Sequence, residues 1–247
     1  MLADIADELT MERFRGRDLR VETKPDRTPV TEVDRGVEEA VRARLASDRP
    51  DDGIVGEEFG EQAGTSDRRW IVDPIDGTKS FLRGVPIWAT LLALQDGDRG
   101  IVGVVSAPAL RRRWWAVRGE GAHVDGELIH VSEVATIGDA LVAFTTPSFE
   151  KYGLGDEFRA LAADCWAARG FSDFWGHVLV AEGSADVMLE PALNLWDYAP
   201  LELIVEEAGG NFSDFGGAAP SHGGSGVSTN GLLHDAVLDA LGRRPDE

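Results

Sequence analysis

The chain reads as a layered α/β or α+β protein. Three features of its 247 residues predict this. Some stretches repeat an apolar residue every fourth position, as a half-buried helix does. Others are short unbroken apolar runs that stop at turn residues, as buried strands do. The two kinds alternate along the chain, with no low-complexity segment and no internal repeat. With 43% hydrophobic residues, the chain can bury a large core in one domain or two closely packed ones.

A first helix is expected to run to about Phe14. A second follows Thr31, with Val33, Val37, Val41 and Leu45 on one face. The run GIVG leads a short strand into Glu57. WIV, residues 70–72, leads another into Asp73, where Pro74 is expected to end the ladder. Segments 87–95, 101–106 and 113–118 read as strands divided by turns such as DGDRG. Beyond them come a strand at 140–145, helices at 156–166 and 173–183, and a strand at 185–189. A helix over 195–208 closes at Gly209-Gly210, a C-cap signal. Strands near Phe212 and Val227 and a helix from Leu232 complete the pattern.

Charge and composition narrow the function. The net charge of −20 disfavours a nucleic-acid surface or an anionic membrane as partner. No run of about 18 apolar residues appears, so no membrane-spanning helix is expected. The N-terminal MLADIADELT has no basic-then-apolar signal pattern, and a cytoplasmic location is expected. The single cysteine, Cys165, leaves no internal disulfide and no multi-cysteine zinc site. The five histidines are scattered, and HExxH is absent.

Acids stand where structure alone does not call for them. Asp73 and Asp76, in DPIDGT, sit three residues apart at the tip of an apolar strand. DPxDG also suits an ordinary turn. Buried approach and the following Gly77-Thr78 favour a divalent cation between the two carboxylates, with an anion site at the free N–H groups of a helix start. Glu57 and Glu58 end another apolar run, and alone they read as a solvated strand tip. Asp34 lies three residues after Thr31, the spacing of a helix capping box. Asp197 opens a helix whose Leu201, Ile204 and Ala208 continue its own face, so its carboxylate is expected to point inward. An acid there also suits the helix dipole. The donors are all oxygens, which suits Mg²⁺: it takes octahedral oxygen ligands at roughly 2.0–2.1 Å and keeps some waters. Two such ions about 3.5–4 Å apart can flank a phosphoryl group. Metal and phosphate sites side by side point to phosphoryl chemistry.

GEE (56–58), DPIDGT (73–78) and WD (196–197), in this order and spacing, resemble the inositol monophosphatase-like, Mg²⁺-dependent phosphatases. KPDRTPVTEVD (24–34), EAGG (207–210) and STN (228–230) are similar to further family motifs, so the likeness spans most of the chain. It implies an alternating αβαβα sandwich, homodimeric, acting on a small phosphate ester with two or three Mg²⁺ per site. It implies roles by position. Glu57, Asp73 and the Ile75 carbonyl would hold one metal, and Asp73, Asp76 and Asp197 a second. Asp34 and Thr78 would orient and deprotonate the attacking water, with Glu58 completing the catalytic set beside a weaker third ion. The Gly77 and Thr78 amides would bind phosphate. An N-terminal half, 1–135, would carry most metal ligands. The C-terminal half, 136–247, would carry Asp197 and the substrate pocket, with a seam near 130–140.

Substrate choice turns on Phe171-Ser172-Asp173. Inositol phosphatases resemble one another in a small Gly-Thr-Ala type segment there, and this chain departs from it. A buried carboxylate has no use for a neutral polyol but pairs with a cation. RGFSDFW (169–175) resembles the histidinol-phosphate phosphatases of the superfamily, whose substrate carries an ammonium and an imidazole. Ser172, Asp173 and Glu190 are the expected substrate contacts. Asp173 also suits a helix N-cap, His177 reads as a packed helix residue, and Lys79 as a surface or phosphate-side charge. Inositol monophosphate, a sugar bisphosphate or a nucleotide-derived phosphate remain alternative substrates, and a non-catalytic phosphate-binding regulator is the alternative from another class.

Overall fold

The computed structural model describes residues 1–16, 19–23, 29–146, 148–219 and 224–243. Residues 24–28 of the KPDRTPVTEVD motif lie outside them. Helix α1 (Leu2–Arg13) comes first, followed by a small hairpin of β1 (Val21–Thr23) and β2 (Pro29–Thr31). Helix α2 (Glu32–Asp48) buries Val33, Val37, Val41 and Leu45, the face its sequence spacing marks. Then come β3 (Gly53–Gly56), β4 (Gly60–Gln62), β5 (Arg68–Asp76), the short helix α3 (Thr78–Leu82), β6 (Ala89–Asp96), β7 (Arg99–Ala107), β8 (Arg112–Val117), β9 (Gly121–Val124) and β10 (Glu127–Ile129). Strands β3 to β10 form an eight-stranded sheet in the order β10-β9-β8-β7-β6-β5-β3-β4.

The remainder builds a second sheet. It holds β11 (Leu141–Phe144), α4 (Gly155–Asp164), β12 (Ala167–Arg169), α5 (Phe174–Ala181), β13 (Val187–Leu193), α6 (Leu195–Glu207), β14 (Asn211–Ser213), β15 (Gly224–Thr229) and α7 (His234–Ala240). The five strands order as β12-β11-β13-β15-β14.

Strand alternation stacks these parts into five layers. On β5 and β6, Val72 and Leu92 join the cluster of α1 and α2, while Ile71 and Leu91 face α5 and α6. On β11 and β13, Ala143 and Met188 meet Val180 of α5, while Val142, Val187 and Leu189 meet the side chains of α4 and α7. The result is an alternating αβαβα sandwich. Among the described residues no helix is long and apolar enough to cross a membrane.

The structure departs from the sequence reading in three ways. First, β5 does not stop at Asp73 but runs on to Asp76. The pairing with β6 slips by one residue between Asp73 and Asp76, and the Thr90 hydroxyl bonds the Pro74 carbonyl at 2.8 Å. A bulge is where a strand tolerates proline. Strand β13 likewise runs past Glu190 and Pro191, with a register shift there. Second, β1, β4 and β10 are three-residue strands with mostly exposed side chains, and β12 is a three-residue strand with no fully buried one, so no apolar run announces them. Third, α6 has no single buried stripe: Tyr198 through Leu201 and Leu203 through Val205 are all buried, because both faces carry a sheet.

One aromatic cluster anchors the segment after DPIDGT. Phe81 of α3 is 1% exposed and packs edge-on to Trp88 at 5.0 Å between ring centres, with Phe14 at 5.6 Å. Phe81→Ala is expected to cost about 3–5 kcal/mol, the usual cost of emptying such a site. Urea denaturation followed by tryptophan fluorescence measures it.

Candidate active site

The acids converge because of strand direction. Strands β3 and β5 are parallel, with Gly56 opposite Val72, and the Glu57 amide bonds the Val72 carbonyl at 3.2 Å. Their carboxyl ends therefore deliver Glu57 and Asp73 side by side. Asp34 comes from the first turn of α2 and Asp197 from the first turn of α6.

Each of the four aspartates has one oxygen held by a backbone amide. Asp34 Oδ2 accepts from the Thr31 amide at 2.9 Å, and Thr31 Oγ1 in turn caps α2. Asp197 Oδ2 accepts from the Asn194 amide at 2.7 Å. Asp73 Oδ1 accepts from the Ile75 amide at 3.0 Å. Asp76 Oδ2 accepts from the Phe174 amide at 2.6 Å, which ties the first sheet to the start of α5. So the capping role of Asp34 does not use up its carboxylate. One oxygen closes the helix end, and Asp34 Oδ1 lies 3.5 Å from the Thr78 hydroxyl. Thr78 Oγ1 also donates to the Ile75 carbonyl at 3.0 Å.

Electrostatics show how close the acids lie. Burial and the charges of Glu57, Asp76 and Asp197 push Asp73 well above the usual carboxylate range. Burial, Asp173, Asp197 and Glu190 do the same to Asp76. Asp34 is raised to about 6, mainly by burial with a contribution from Glu57. Asp197 is raised to about 7 by burial, Glu190 and Glu57. Glu190 is raised to about 8 by burial and Asp173. Asp34, Asp73 and Glu190 are buried, and Glu57, Asp76, Asp173 and Asp197 are mostly buried but keep some exposure, so the cluster reaches the surface.

The donor set fits a hard divalent cation: it is all oxygen, negatively charged and mutually repelling. Among the described residues no three acidic, His or Cys side chains stand together in a group that could by itself hold a metal ion. Mg²⁺ ordinarily keeps several waters and takes only one or two carboxylates with substrate oxygens.

Gly77 caps α3 with φ at 80°, a left-handed conformation that favours glycine. A Cβ there would stand 3.0 Å from the Ile87 carbonyl and 3.4 Å from Asp173 Oδ2. Asp173 is thus beside the DGT turn. It occupies the N-cap position of α5 but makes no side-chain cap bond, against the capping expectation. Its φ of 57° is rare for a non-glycine residue. Ser172 Oγ donates to Asp173 Oδ2 at 2.9 Å, and burial raises the Asp173 pKa while Ser172 and Lys79 oppose the rise.

Two partners were hidden in the sequence. Glu38, fully buried in α2 and paired with Arg42, accepts the Glu58 amide at 2.7 Å and the Phe59 amide at 3.2 Å. It fixes the turn that carries Glu57 and Glu58. A Cβ on Gly56 would collide with Glu38 Oε1, so glycine is required at that close approach. His177 is not merely packed: it bonds Glu190 and Ser228. Glu38 sits four residues after Asp34, a spacing that marks a shared helix face but does not name the loop it reaches.

The family model of the inositol monophosphatase family matches residues 1–244. The chain belongs to the inositol monophosphatase family. It is 53% identical to the histidinol-phosphatase of Mycobacterium tuberculosis, over 97% of this chain and 95% of that one. It is 49% identical to the histidinol-phosphatase of Streptomyces coelicolor, over 99% and 95%. An inositol monophosphatase from Zymomonas mobilis superposes with a TM-score of 0.86 at 32% identity, covering 98% of this chain and 94% of the other.

The raised carboxyl groups set a pH signature. A group with a raised folded pKa stabilises fully below its unfolded value and loses that contribution as pH rises through the folded value. Without divalent cation, stability should therefore fall between pH 5 and 8, the window set by Asp34, Asp197 and Glu190. Mg²⁺ displaces those protons. The rise in Tm on adding 5 mM Mg²⁺, read by calorimetry, should be larger at pH 8 than at pH 5.5. An equal rise at both would contradict the clustering.

Proposed function

We propose that the protein is a Mg²⁺-dependent phosphomonoesterase that hydrolyses L-histidinol phosphate to L-histidinol and phosphate. The observation that carries this is the mutual charge repulsion of Glu57, Asp73, Asp76 and Asp197 in one cluster, with Asp173 directly beside the DGT turn. The identity to two histidinol-phosphatases supports the substrate. So does the charge of the pocket, since Asp173 and Glu190 offer two buried carboxylates to a substrate bearing an ammonium and an imidazole.

In this reading Glu57, Asp73 and the Ile75 carbonyl would hold one Mg²⁺; Asp73, Asp76 and Asp197 would hold a second; Glu57 and Glu58 would face a weaker third. Such ions would acidify water and neutralise charge on the phosphoryl oxygens. The chain's own groups do the rest. Asp34 Oδ1 and Thr78 Oγ1 orient the attacking water, and Asp34 takes its proton. The Gly77 and Thr78 amides hold phosphate oxygens at the head of α3. Water adds to phosphorus in line as the P–O ester bond breaks and the leaving oxygen takes a proton from solvent, while the proton on Asp34 returns to solvent; no covalent phosphoenzyme forms. Ser172, Asp173 and Glu190 hold the amino-alcohol arm. The same reading makes the enzyme a cytoplasmic homodimer serving histidine biosynthesis.

Asp76→Asn should lower phosphate release by more than a hundredfold while the far-ultraviolet spectrum stays native. Near-normal turnover would overturn the metal assignment. Asp173→Ala should lower kcat/KM on histidinol phosphate far more than on inositol-1-phosphate, in a Mg²⁺-supplemented phosphate-release assay. Equal losses on both esters would remove Asp173 from substrate choice.

A further inference from the structure

His177 lies in α5, four residues after the N-cap residue Asp173. It is fully buried. Its Nδ1 is 2.7 Å from Ser228 Oγ on β15, and its Nε2 is 3.2 Å from Glu190 Oε2 on β13. Ser228 is also fully buried, and Glu190 is 7% exposed. The Phe212 ring stands 5.5 Å from the imidazole and closes the remaining side. Two layers thus meet in one line: a serine from β15, a histidine from the helix packed on that sheet, and an acid from the neighbouring β13 that acts on the charge cluster of Asp76 and Asp197.

We propose that His177 is a positioning residue for substrate recognition, holding the Glu190 carboxylate toward the ammonium-bearing arm of the phosphate ester. The inference rests on the substrate reading given above. Burial lowers the His177 pKa to about 3, so the ring is neutral, with one N–H and one lone pair. When a cationic group beside Glu190 holds it ionised, the carboxylate only accepts, so Nε2–H donates to Glu190 and Nδ1 accepts from the Ser228 hydroxyl. The Thr145 hydroxyl lies beside Glu190 and favours its charged form without making a well-formed hydrogen bond.

The choice of imidazole has a physical reason. A free glutamate has three rotatable bonds, and fixing one oxygen in advance spares that ordering at binding. A lysine or arginine would also fix it, but would cancel the charge that a cationic substrate needs. A neutral histidine orients the carboxylate and leaves its negative charge to the ligand. An apolar side chain would fill the helix position and orient nothing.

The test compares three variants on three phosphate esters: histidinol phosphate, inositol-1-phosphate and p-nitrophenyl phosphate. His177→Met should lower kcat/KM on histidinol phosphate at least tenfold more than on p-nitrophenyl phosphate, chiefly through KM. His177→Gln keeps a donor near the Nε2 position and should recover most of the loss. Ser228→Ala frees the ring and should shift the same ratio in the same direction by a smaller factor. Equal losses on both esters in His177→Met, or no recovery in His177→Gln, would overturn the inference. If His177→Met does not fold, Ser228→Ala decides: a wild-type substrate ratio overturns it. A wild-type enzyme with no preference for histidinol phosphate over inositol-1-phosphate would instead overturn the substrate reading itself.

Discussion

Buried carboxylates repel one another, and the site is organised around that repulsion. Asp34, the Asp73–Asp76 pair of β5 and Asp197 come from separate stretches of the chain and raise each other's proton affinity directly or through Glu57. Each is restrained by one backbone amide, from Thr31, Ile75, Phe174 and Asn194 respectively. A backbone amide is a donor whose place is set by secondary structure, so it holds one oxygen without adding a side chain to the crowd. A full positive charge would do more for stability, but it would also occupy the space between the acids. In the function proposed above, that space is left to a cation from solution.

The same device recurs at two helix starts. Asp34 and Asp197 both stand at the third position of a helix with one oxygen on the N-cap amide. The capping role sets the χ angles, and the site inherits a preset direction. This is why the capping reading of Asp34 and its reading as a site residue are not rivals. A single carboxylate has enough lone pairs for both.

Much of this was legible in the sequence where residues repeat a local pattern. The spacing of Val33, Val37, Val41 and Leu45 and the Thr31–Asp34 capping box are local, and both appear as expected. The DPIDGT run announced Asp73 and Asp76, although the strand carries on through Pro74 by way of a bulge. The exposed three-residue strands gave no signal, because strand patterns are read from buried side chains. Contacts that cross the layers were also hidden. Glu38 reaching the Glu58 amide and His177 reaching Ser228 join residues 20 and 51 positions apart. No periodicity within one element encodes such pairs. Asp173 stands between these cases: its residue type hinted at a cationic partner, but its left-handed backbone and its place beside Gly77 belong to the assembled site.

The most direct test of the shared cluster is anomalous diffraction from crystals grown with Mn²⁺ in place of Mg²⁺. The account predicts strong anomalous peaks between Glu57, Asp73, Asp76 and Asp197, with Asp73 touching more than one ion. Manganese found only on surface carboxylates, with those four side chains turned away from one another, would contradict it.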